Sequence, residues 1–252
     1  MPSPKNIIQT QRAFFYEGNT FSIEFRKAAL IKLKKLLNAY QEELIQAIHS
    51  DFKKSEFETI LTEIAMIKLE LRKHISNLKK WSKPQKVSSS ILNFPSTDYI
   101  YKQPFGVVLI ISPWNYPLLL AIQPLISAIA AGNCVVLKPS EVSSNTSAVI
   151  AKMINDNFLP EYISVILGDV EKTTEILENK FDKIFFTGST SVGKIIQKKA
   201  AETLTPTVLE LGGKSPCVIT KSANLEIAAK RITFGKFVNA GQTCIAPDFI
   251  WI

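Results

Sequence analysis

One cysteine of the sequence stands where a thiol could react with a substrate. Cys244 follows Gly241 in the run Gly-Gln-Thr-Cys and precedes the turn 247–248, so a loop is predicted around it. Cys134 and Cys217 instead fall within apolar runs typical of strands, and a buried free cysteine is usually inert. Cys244 is therefore predicted to be the reactive thiol, able to act as a nucleophile once it is a thiolate.

Two further side chains suit acyl-transfer chemistry with that thiol. Glu210 precedes a Leu-Gly-Gly turn, where a carboxylate can change position and act as a general base. Asn115 lies between two prolines in the run 112–117, and a rigidly held amide is a good oxyanion donor. Both also have plain structural interpretations. Glu210 could be a surface carboxylate before a turn, and the proline-rich loop could serve only to let Trp114 fill an apolar gap.

Metal and Cys–His chemistry find little support in the sequence. The three cysteines cannot all pair, and their spacing does not resemble a metal site. The two histidines, His49 and His74, fall on amphipathic helical patterns and are expected at the surface or an interface. A Cys–His protease is therefore disfavoured, and a glutamate base fits the cysteine better.

Two loops after predicted strands could bind a nucleotide. Lys138 and Glu141 share the run Lys-Pro-Ser-Glu, where both side chains could bond ribose hydroxyls; the alternative is an exposed turn before a helix. Gly188 and Gly193 belong to a strand-to-helix turn, whose helix N-terminus would offer free N–H groups to a pyrophosphate. Their G-x-x-x-x-G spacing is neither the dinucleotide fingerprint nor a P-loop, so a tight turn without ligand is equally consistent with it.

An alternation of short apolar runs with helical stretches would position these loops. Strands are predicted at 105–112, 133–137, 162–167 and 182–186, and helices at 118–131, 143–157, 170–178 and 190–203. This alternation predicts an α/β fold with a Rossmann-like parallel sheet and helices on both faces. Gly132 suits a left-handed helix C-cap. Ligands in such sheets bind beyond the carboxyl ends of the strands, where the loops described above gather.

Helices are predicted to precede that sheet. An apolar stripe through residues 20–50 indicates one amphipathic helix. Ser55 and Glu58 form a capping-box pattern that starts a second helix, running toward Leu78. The segment 82–104 is rich in proline and serine around short β-branched or aromatic runs, and it is interpreted as an extended arm or hairpin.

Composition excludes several classes of protein. Hydrophobic residues make up 46% and charged residues 21% of the 252 residues, which excludes a disordered chain. Residues 1–104 carry 17 Lys and Arg against 10 Asp and Glu, but only four cations of the whole chain are Arg. This favours a solvated helical surface over a nucleic-acid site. The stretch 118–131 is too short and too interrupted to span a bilayer, and a cytoplasmic protein without a signal peptide is expected.

Five motifs in this order resemble the aldehyde dehydrogenase superfamily: PWNYP, LKPSE, FTGSTSVG, LELGGK and GQTC. Tyr116 and the run GQTCIAPDF are similar to the class 3 branch, which handles medium- or long-chain aliphatic and aromatic aldehydes. The resemblance implies NAD(P)-dependent oxidation of an aldehyde to a carboxylic acid through a thiohemiacetal and thioester on Cys244. Glu210 would then be the base that activates water, and Asn115 would stabilise the oxyanion.

The resemblance also implies the residues that would bind the cofactor, NAD or NADP. These are Trp114, Lys138, Glu141, Gly188, Ser189, Gly193 and Leu211. The Glu141 carboxylate would repel a 2′-phosphate, so NAD is ranked ahead of NADP. A glutamate base also favours an acid-forming enzyme over a CoA-acylating relative.

The predicted organisation is an NAD(P)-binding domain over 1–206, with an arm near 82–104, and the start of a second α/β catalytic domain over 207–252. The chain is interpreted as truncated soon after Cys244, so it is expected to be inactive by itself. A homodimer is expected for the full-length form, with an aldehyde as substrate and neither nucleic acid nor metal as partner. The alternative is a non-catalytic remnant that binds nucleotide or associates with a full-length subunit.

Overall fold

A computed structural model describes residues 3–252, and it begins with a helix that the sequence analysis left unassigned. Helix α1 (Pro4–Tyr16) starts at Ser3, whose hydroxyl accepts the Asn6 N–H, with Pro4 in the first turn. Both features are helix-start signals. The helix buries Ile7 and Ile8 and packs against the central strands of the sheet described below.

The amphipathic stripe of residues 20–50 belongs to two helices rather than the one predicted. These are α2 (Ile23–Ala39) and α3 (Gln41–Phe52). They meet at Tyr40, where the backbone leaves helical geometry with φ −95° and ψ 6°. The stripe itself is buried on both sides of the break, as its spacing predicts.

The helix predicted from Ser55 contains a wider turn in its first half. The Ser55 hydroxyl accepts the Glu58 N–H at 3.2 Å, which confirms the predicted start. Helix α4 (Glu56–Thr59) passes through a π turn (Ile60–Ile64) into α5 (Ala65–Trp81). Such single π turns occur frequently at functional sites.

The segment 82–104 forms a hairpin. Strand β1 (Gln85–Val87) pairs antiparallel with β2 (Asp98–Ile100). A short 3₁₀ turn lies between the strands. Of the two predicted alternatives, an extended arm or a hairpin, the segment contains a hairpin.

A five-stranded parallel sheet forms the centre of the fold, as predicted. Its strands are β3 (Val107–Ile111), β4 (Cys134–Lys138), β5 (Ile163–Val165), β6 (Lys183–Thr187) and β7 (Thr207–Glu210). Its connecting helices are α6 (Leu119–Ala131), α7 (Ser144–Asn155), α8 (Val170–Leu177) and α9 (Thr190–Ala201). Gly132 ends α6 with φ 89°, which confirms the predicted left-handed cap.

The strands lie in the order β5-β4-β3-β6-β7, so the chain first adds strands on one side of β3 and then on its other side. Because parallel crossovers are right-handed, α6 and α7 cover one face and α8 and α9 the other. Helices α2 and α5 pack on α6, and α3 packs on α7, whereas α1 contacts α8. The crevice between the loops that follow β3 and β6 is thus the topological switch point, where such sheets bind ligands.

A second α/β unit follows the sheet. Strand β8 (Ser215–Val218), helix α10 (Leu225–Phe237) and strand β9 (Pro247–Trp251) form a parallel βαβ arrangement. Strand β7 belongs to the first sheet, so that sheet extends to Glu210, beyond residue 206. The division of the chain into domains stays a prediction.

Neither a membrane-spanning helix nor a cluster of metal ligands occurs in the described part of the chain. No helix within residues 3–252 is long and apolar enough to cross a membrane. In the same residues, no group of three or more His, Cys, Asp or Glu side chains is placed to hold a metal ion.

Candidate active site

A cleft of about 510 Å³ lies between α6 and the face of the sheet opposite α9, and both Cys244 and Glu210 line it. Strand β6 alternates buried residues with the half-buried Lys183, Phe185 and Thr187, which face this cleft. Helix α6 supplies the other wall. The structure therefore brings the predicted nucleophile and the predicted base, far apart in sequence, to one cavity.

Cys244 is the most exposed of the three cysteines, whereas Cys217, expected to be buried in a strand like Cys134, is only half-buried. Cys244 is exposed, Cys217 is half-buried in β8, and Cys134 is buried in β4. Burial raises the pKa of Cys134 to about 12, so its thiolate is scarce at neutral pH. Cys244 is the thiol most accessible to a solute.

Neither histidine accompanies Cys244 among the lining residues of the cleft. His74, expected at the surface or at an interface, is not at the surface, since its side chain is buried in α5. Its Nδ1 lies 3.0 Å from the Glu70 carbonyl oxygen, and its ring packs against the ring of Trp81. Its helical face is buried because α5 packs on both α2 and α6.

The loop that carries Asn115 is bonded to the loop that carries Cys244. Asn115 Nδ2 donates to the Gln242 carbonyl oxygen at 2.8 Å. In return, Asn239 Nδ2 donates to the Asn115 carbonyl oxygen at 2.7 Å. An amide nitrogen has two hydrogens, so one N–H of Asn115 has no acceptor among residues 3–252; Asn115 itself is not one of the residues that line the cleft.

Asn239 is a site residue that the sequence analysis missed. It is buried and has φ 55°, and Ala240 has φ 54°. Non-glycine residues rarely adopt this left-handed conformation, which is found at functional sites. Its backbone N–H also donates to Glu58 Oε1 at 2.5 Å.

A buried ion pair behind this loop was also missed. Lys54 Nζ lies 2.9 Å from Glu63 Oε1, and the side chains are 3% and 0% exposed. Glu63 sits in the π turn beside the buried Ile64. A signal existed, because the helical spacing from Ile60 places Glu63 on the apolar side, where a lone carboxylate needs a partner.

Glu210 ends strand β7 and is exposed. Its carbonyl oxygen accepts the Gly188 N–H at 3.0 Å, which links the Glu210 turn to the turn after β6. Glu210 is one of the residues that line the cleft. This placement allows the carboxylate to approach a solute bound near Cys244.

Lys138 and Glu141, the predicted ribose ligands, contact each other. Lys138 Nζ lies 2.5 Å from Glu141 Oε2, with the lysine buried and the carboxylate partly exposed. Partial burial alone would raise the pKa of Glu141, but the hydrogen bond and charge of Lys138 outweigh it and hold that pKa below its ordinary value. The carboxylate is therefore ionised at neutral pH and faces solvent beyond β4.

The turn after β6 is tightly packed. A Cβ on Gly188 would lie 2.6 Å from Phe186 Cζ, and one on Gly193 would lie 2.7 Å from Leu211 Cδ2. Ser189 caps α9 by accepting the Val192 N–H at 3.3 Å. Packing thus accounts for both glycines, whether or not a pyrophosphate binds there.

Two buried hydroxyl groups lie at the crevice between β3 and β6. Ser112 Oγ and Thr187 Oγ1 are buried and have no hydrogen-bond partner among residues 3–252. Ser112 follows β3 and Thr187 ends the neighbouring strand β6, so both lie at the switch point. Buried polar atoms normally have partners, so these two fit a polar ligand, as the predicted dinucleotide would be. Trp114 borders the same loop, 37% exposed, with its ring 6.3 Å from that of Phe52.

Comparisons with known proteins agree with this architecture. The chain is 44% identical over 251 residues to 4,4'-diaponeurosporen-aldehyde dehydrogenase of Staphylococcus aureus, covering 98% of this chain and 55% of that protein. It is 45% identical over 243 residues to aldehyde dehydrogenase family 3 member A2 of Pongo abelii, covering 96% and 50%. The chain thus spans about half the length of these relatives.

Solved structures show the same fold. The substrate-bound state of Staphylococcus aureus AldH superposes with a TM-score of 0.96 at 43% identity, covering 99% of this chain and 55% of that one. An NAD+ complex of an aldehyde dehydrogenase from Bacillus cereus gives 0.87 at 29%, covering 98% and 51%.

The resemblance seen in the motifs, including its class 3 character, is confirmed by these relatives. A sequence profile described as "Aldehyde dehydrogenase family" matches residues 5–252. The chain belongs to the aldehyde dehydrogenase family.

Proposed function

We propose that this chain contributes the cofactor-binding sheet and the reactive cysteine of an enzyme that oxidises an aldehyde to a carboxylic acid with NAD(P)+. The observation that carries the proposal is the single cleft lined by both Cys244 and Glu210. The hydrogen bonds between the Asn115 loop and the Cys244 loop support it. Family membership supplies the general reaction.

Cys244 begins the proposed reaction. Its thiolate adds to the aldehyde carbonyl carbon and forms a C–S bond, which places negative charge on the carbonyl oxygen. The free N–H of the Asn115 amide, together with the Cys244 backbone N–H, stabilises this oxyanion. A donor held in place before reaction needs no reorganisation, and its loss typically costs on the order of 100- to 1000-fold in rate.

The cofactor, when bound, supplies the acceptor for the hydride that leaves the reacting carbon. Lys138 and Glu141 would hold the adenosine ribose, and the N-terminus of α9 with Gly188, Ser189 and Gly193 would hold the pyrophosphate. Leu211 and Trp114 would border it. The ionised Glu141 repels a 2′-phosphate, which favours NAD over NADP.

Glu210 completes the reaction by hydrolysing the thioester on Cys244. Its carboxylate takes a proton from water, and the resulting hydroxide attacks the acyl carbon and displaces the thiolate. The exposure of Glu210 and its place in the cleft support this role, because the carboxylate must reach a water molecule beside the acyl group.

The substrate proposed is an apolar aldehyde of medium or long aliphatic chain, or an aromatic one. Val108, Ile110 and Leu120 give the cleft apolar walls. A volume of about 510 Å³ accommodates a small ligand. Burial of a hydrocarbon tail there stabilises the complex by about 0.8 kcal/mol per methylene group.

The test joins residues 1–252 to the remaining half of the Staphylococcus aureus relative and compares the product with its Glu210→Gln variant. We expect the parent to oxidise benzaldehyde and a medium-chain aldehyde. The variant should release one burst of NAD(P)H with little steady-state rate, because hydride transfer precedes hydrolysis. Glu171→Gln, at an exposed position of α8, is the control.

Two results would reject the proposal for Glu210. Unchanged steady-state turnover in Glu210→Gln would show that another group activates water, and loss of the burst would place Glu210 before hydride transfer. The non-catalytic alternative predicts that the joined protein binds NAD but oxidises none of the aldehydes. A homodimer in the cytoplasm is the proposed working form.

A further inference from the structure

The buried carboxylate of Glu63 supports the start of helix α6. Its Oε2 accepts the backbone N–H groups of Leu118 at 3.0 Å and Leu119 at 3.1 Å. Leu118 is the N-cap residue of α6 and provides no side-chain cap itself. Glu63 belongs to another helix and thus provides the N-terminal cap that Leu118 does not. Its negative charge also complements the dipole of α6.

The residues held in this way directly follow the Asn115 loop. Leu118 is three positions after Asn115, and only Tyr116 and Pro117 lie between them. Fixing the two N–H groups fixes the end of that short loop. The carboxylate therefore restrains where the Asn115 amide can point, although it does not touch the amide.

Lys54 connects Glu63 to the loop that carries Cys244 through Tyr116. Its Nζ, paired with Glu63, lies 4.5 Å from the centre of the Tyr116 ring. The Tyr116 hydroxyl in turn lies 2.6 Å from Thr243 Oγ1, next to Cys244 in sequence. A buried ammonium over an aromatic face is a favourable contact when it is desolvated.

We propose that Glu63, acting with Lys54, is a positioning residue that holds Asn115 for the oxyanion formed at Cys244. The inference rests on the proposed role of Asn115 and deepens it. Replacing the Glu63 carboxylate by an amide would leave the Lys54 ammonium buried without its counter-charge, and a single amide oxygen would have to serve both that ammonium and the two helix N–H groups. The loop would then shift, and a misplacement of about 1 Å can cost on the order of 100-fold in rate.

The test separates two reactions of the same thiol in the 252-residue chain. Acylation by p-nitrophenyl acetate passes through an oxyanion: the Cys244 thiolate adds to the ester carbonyl, p-nitrophenolate leaves, and a thioester remains. Alkylation by iodoacetamide displaces iodide from a saturated carbon and forms no oxyanion. The ratio of the two rate constants therefore reports the oxyanion donors and cancels changes in thiol exposure. Cys244→Ser supplies the background.

We expect Glu63→Gln to lower the acylation-to-alkylation ratio by about tenfold or more, with alkylation within about twofold of the parent. Asn115→Ala should lower the ratio at least as far. The double variant should fall no further than Asn115→Ala, because the two changes act through one amide. Glu226→Gln, at an exposed position of α10, is the matched control and should leave the ratio unchanged.

Each outcome has a distinct meaning. If Asn115→Ala lowers the ratio and Glu63→Gln does not, or if their effects multiply, the role of Glu63 is wrong. If Asn115→Ala itself leaves the ratio unchanged, the proposed function of Asn115 fails first. Should Glu63→Gln not fold, the pair variant Lys54→Met/Glu63→Gln removes both charges together. An unchanged ratio in that variant overturns the proposal, and a lowered one supports it.

Discussion

The hydroxyl oxygens of Tyr116 and Thr243 lie 2.6 Å apart, so one hydrogen bond joins the loop after β3 to the residue before Cys244. The two residues are 127 positions apart in sequence. Burial raises the pKa of Tyr116, with nearby Glu58 and Glu63 adding to the effect, although the hydrogen bond to Thr243 lowers it. The phenol is thus neutral at physiological pH and remains able to donate.

Tyr116→Phe should loosen the Cys244 loop without unfolding the sheet. Loss of the hydrogen bond is expected to lower the free energy of unfolding by about 1 kcal/mol. Amide hydrogen exchange at 243–246 should quicken, since the loop loses a fixed contact. Tyr101→Phe, where the side chain is 66% exposed in the residue after β2, is the control and should change neither quantity. Unaltered exchange at 243–246 would show that other contacts hold the loop.

Iodoacetamide should modify Cys244 at least about 100-fold faster than Cys134 at pH 8. Cys244 is exposed, whereas burial raises the pKa of Cys134 to about 12 and keeps it a thiol. Only the thiolate reacts at a useful rate. Peptide mapping after brief labelling measures the difference, and Cys244→Ser should remove the fast phase. Preferential labelling of Cys134 or Cys217 would contradict the assignment of the nucleophile.

The order of strands and helices could be predicted because each element has a local signal. Apolar runs such as 133–137 are buried on both faces, and Gly132 marks the end of the helix before them. Parallel strands then place the loops after β3, β4 and β6 at one edge whatever the details of packing. This is why the sequence alone could place Asn115, Lys138 and Gly188 at the same edge of the sheet.

The supporting residues could not be predicted in the same way. The helical spacing indicates that Glu63 needs a buried partner but not which one, and the N–H groups that it accepts, those of Leu118 and Leu119, lie 55 and 56 positions away. Asn239 likewise bonds to Glu58 and Asn115 across long separations. Such contacts depend on the assembled fold and on the π turn, for which propensity gives no signal.

Gly106→Ala should destabilise the chain by more than about 2 kcal/mol. Gly106 has φ +135°, which side chains rarely adopt, and an added Cβ would collide with Asp182 Oδ2. That carboxylate accepts the Val107 N–H at 2.8 Å and pairs with Arg12 at 2.9 Å, so it cannot move freely. Gly212→Ala, with no heavy atom within 4 Å, is the control and should change stability by less than about 0.5 kcal/mol. Urea unfolding compares the two, and equal midpoints would contradict the strain at Gly106.

Glu141→Gln should lower stability at neutral pH but not in acid. Because Lys138 holds the pKa of Glu141 below its ordinary value of 4.5, the folded state favours the ionised carboxylate. The stability gained from the pair is fully present above the unfolded pKa and is lost as the pH falls through the folded pKa. Urea unfolding of the parent and the variant should therefore differ most near pH 8, and the difference should shrink as the pH falls below the ordinary pKa of 4.5. Val142→Ala, an exposed neighbour without a titratable group, should show a difference that does not vary with pH. A gap between parent and Glu141→Gln that widened in acid would mean that the folded state instead favours the protonated carboxyl.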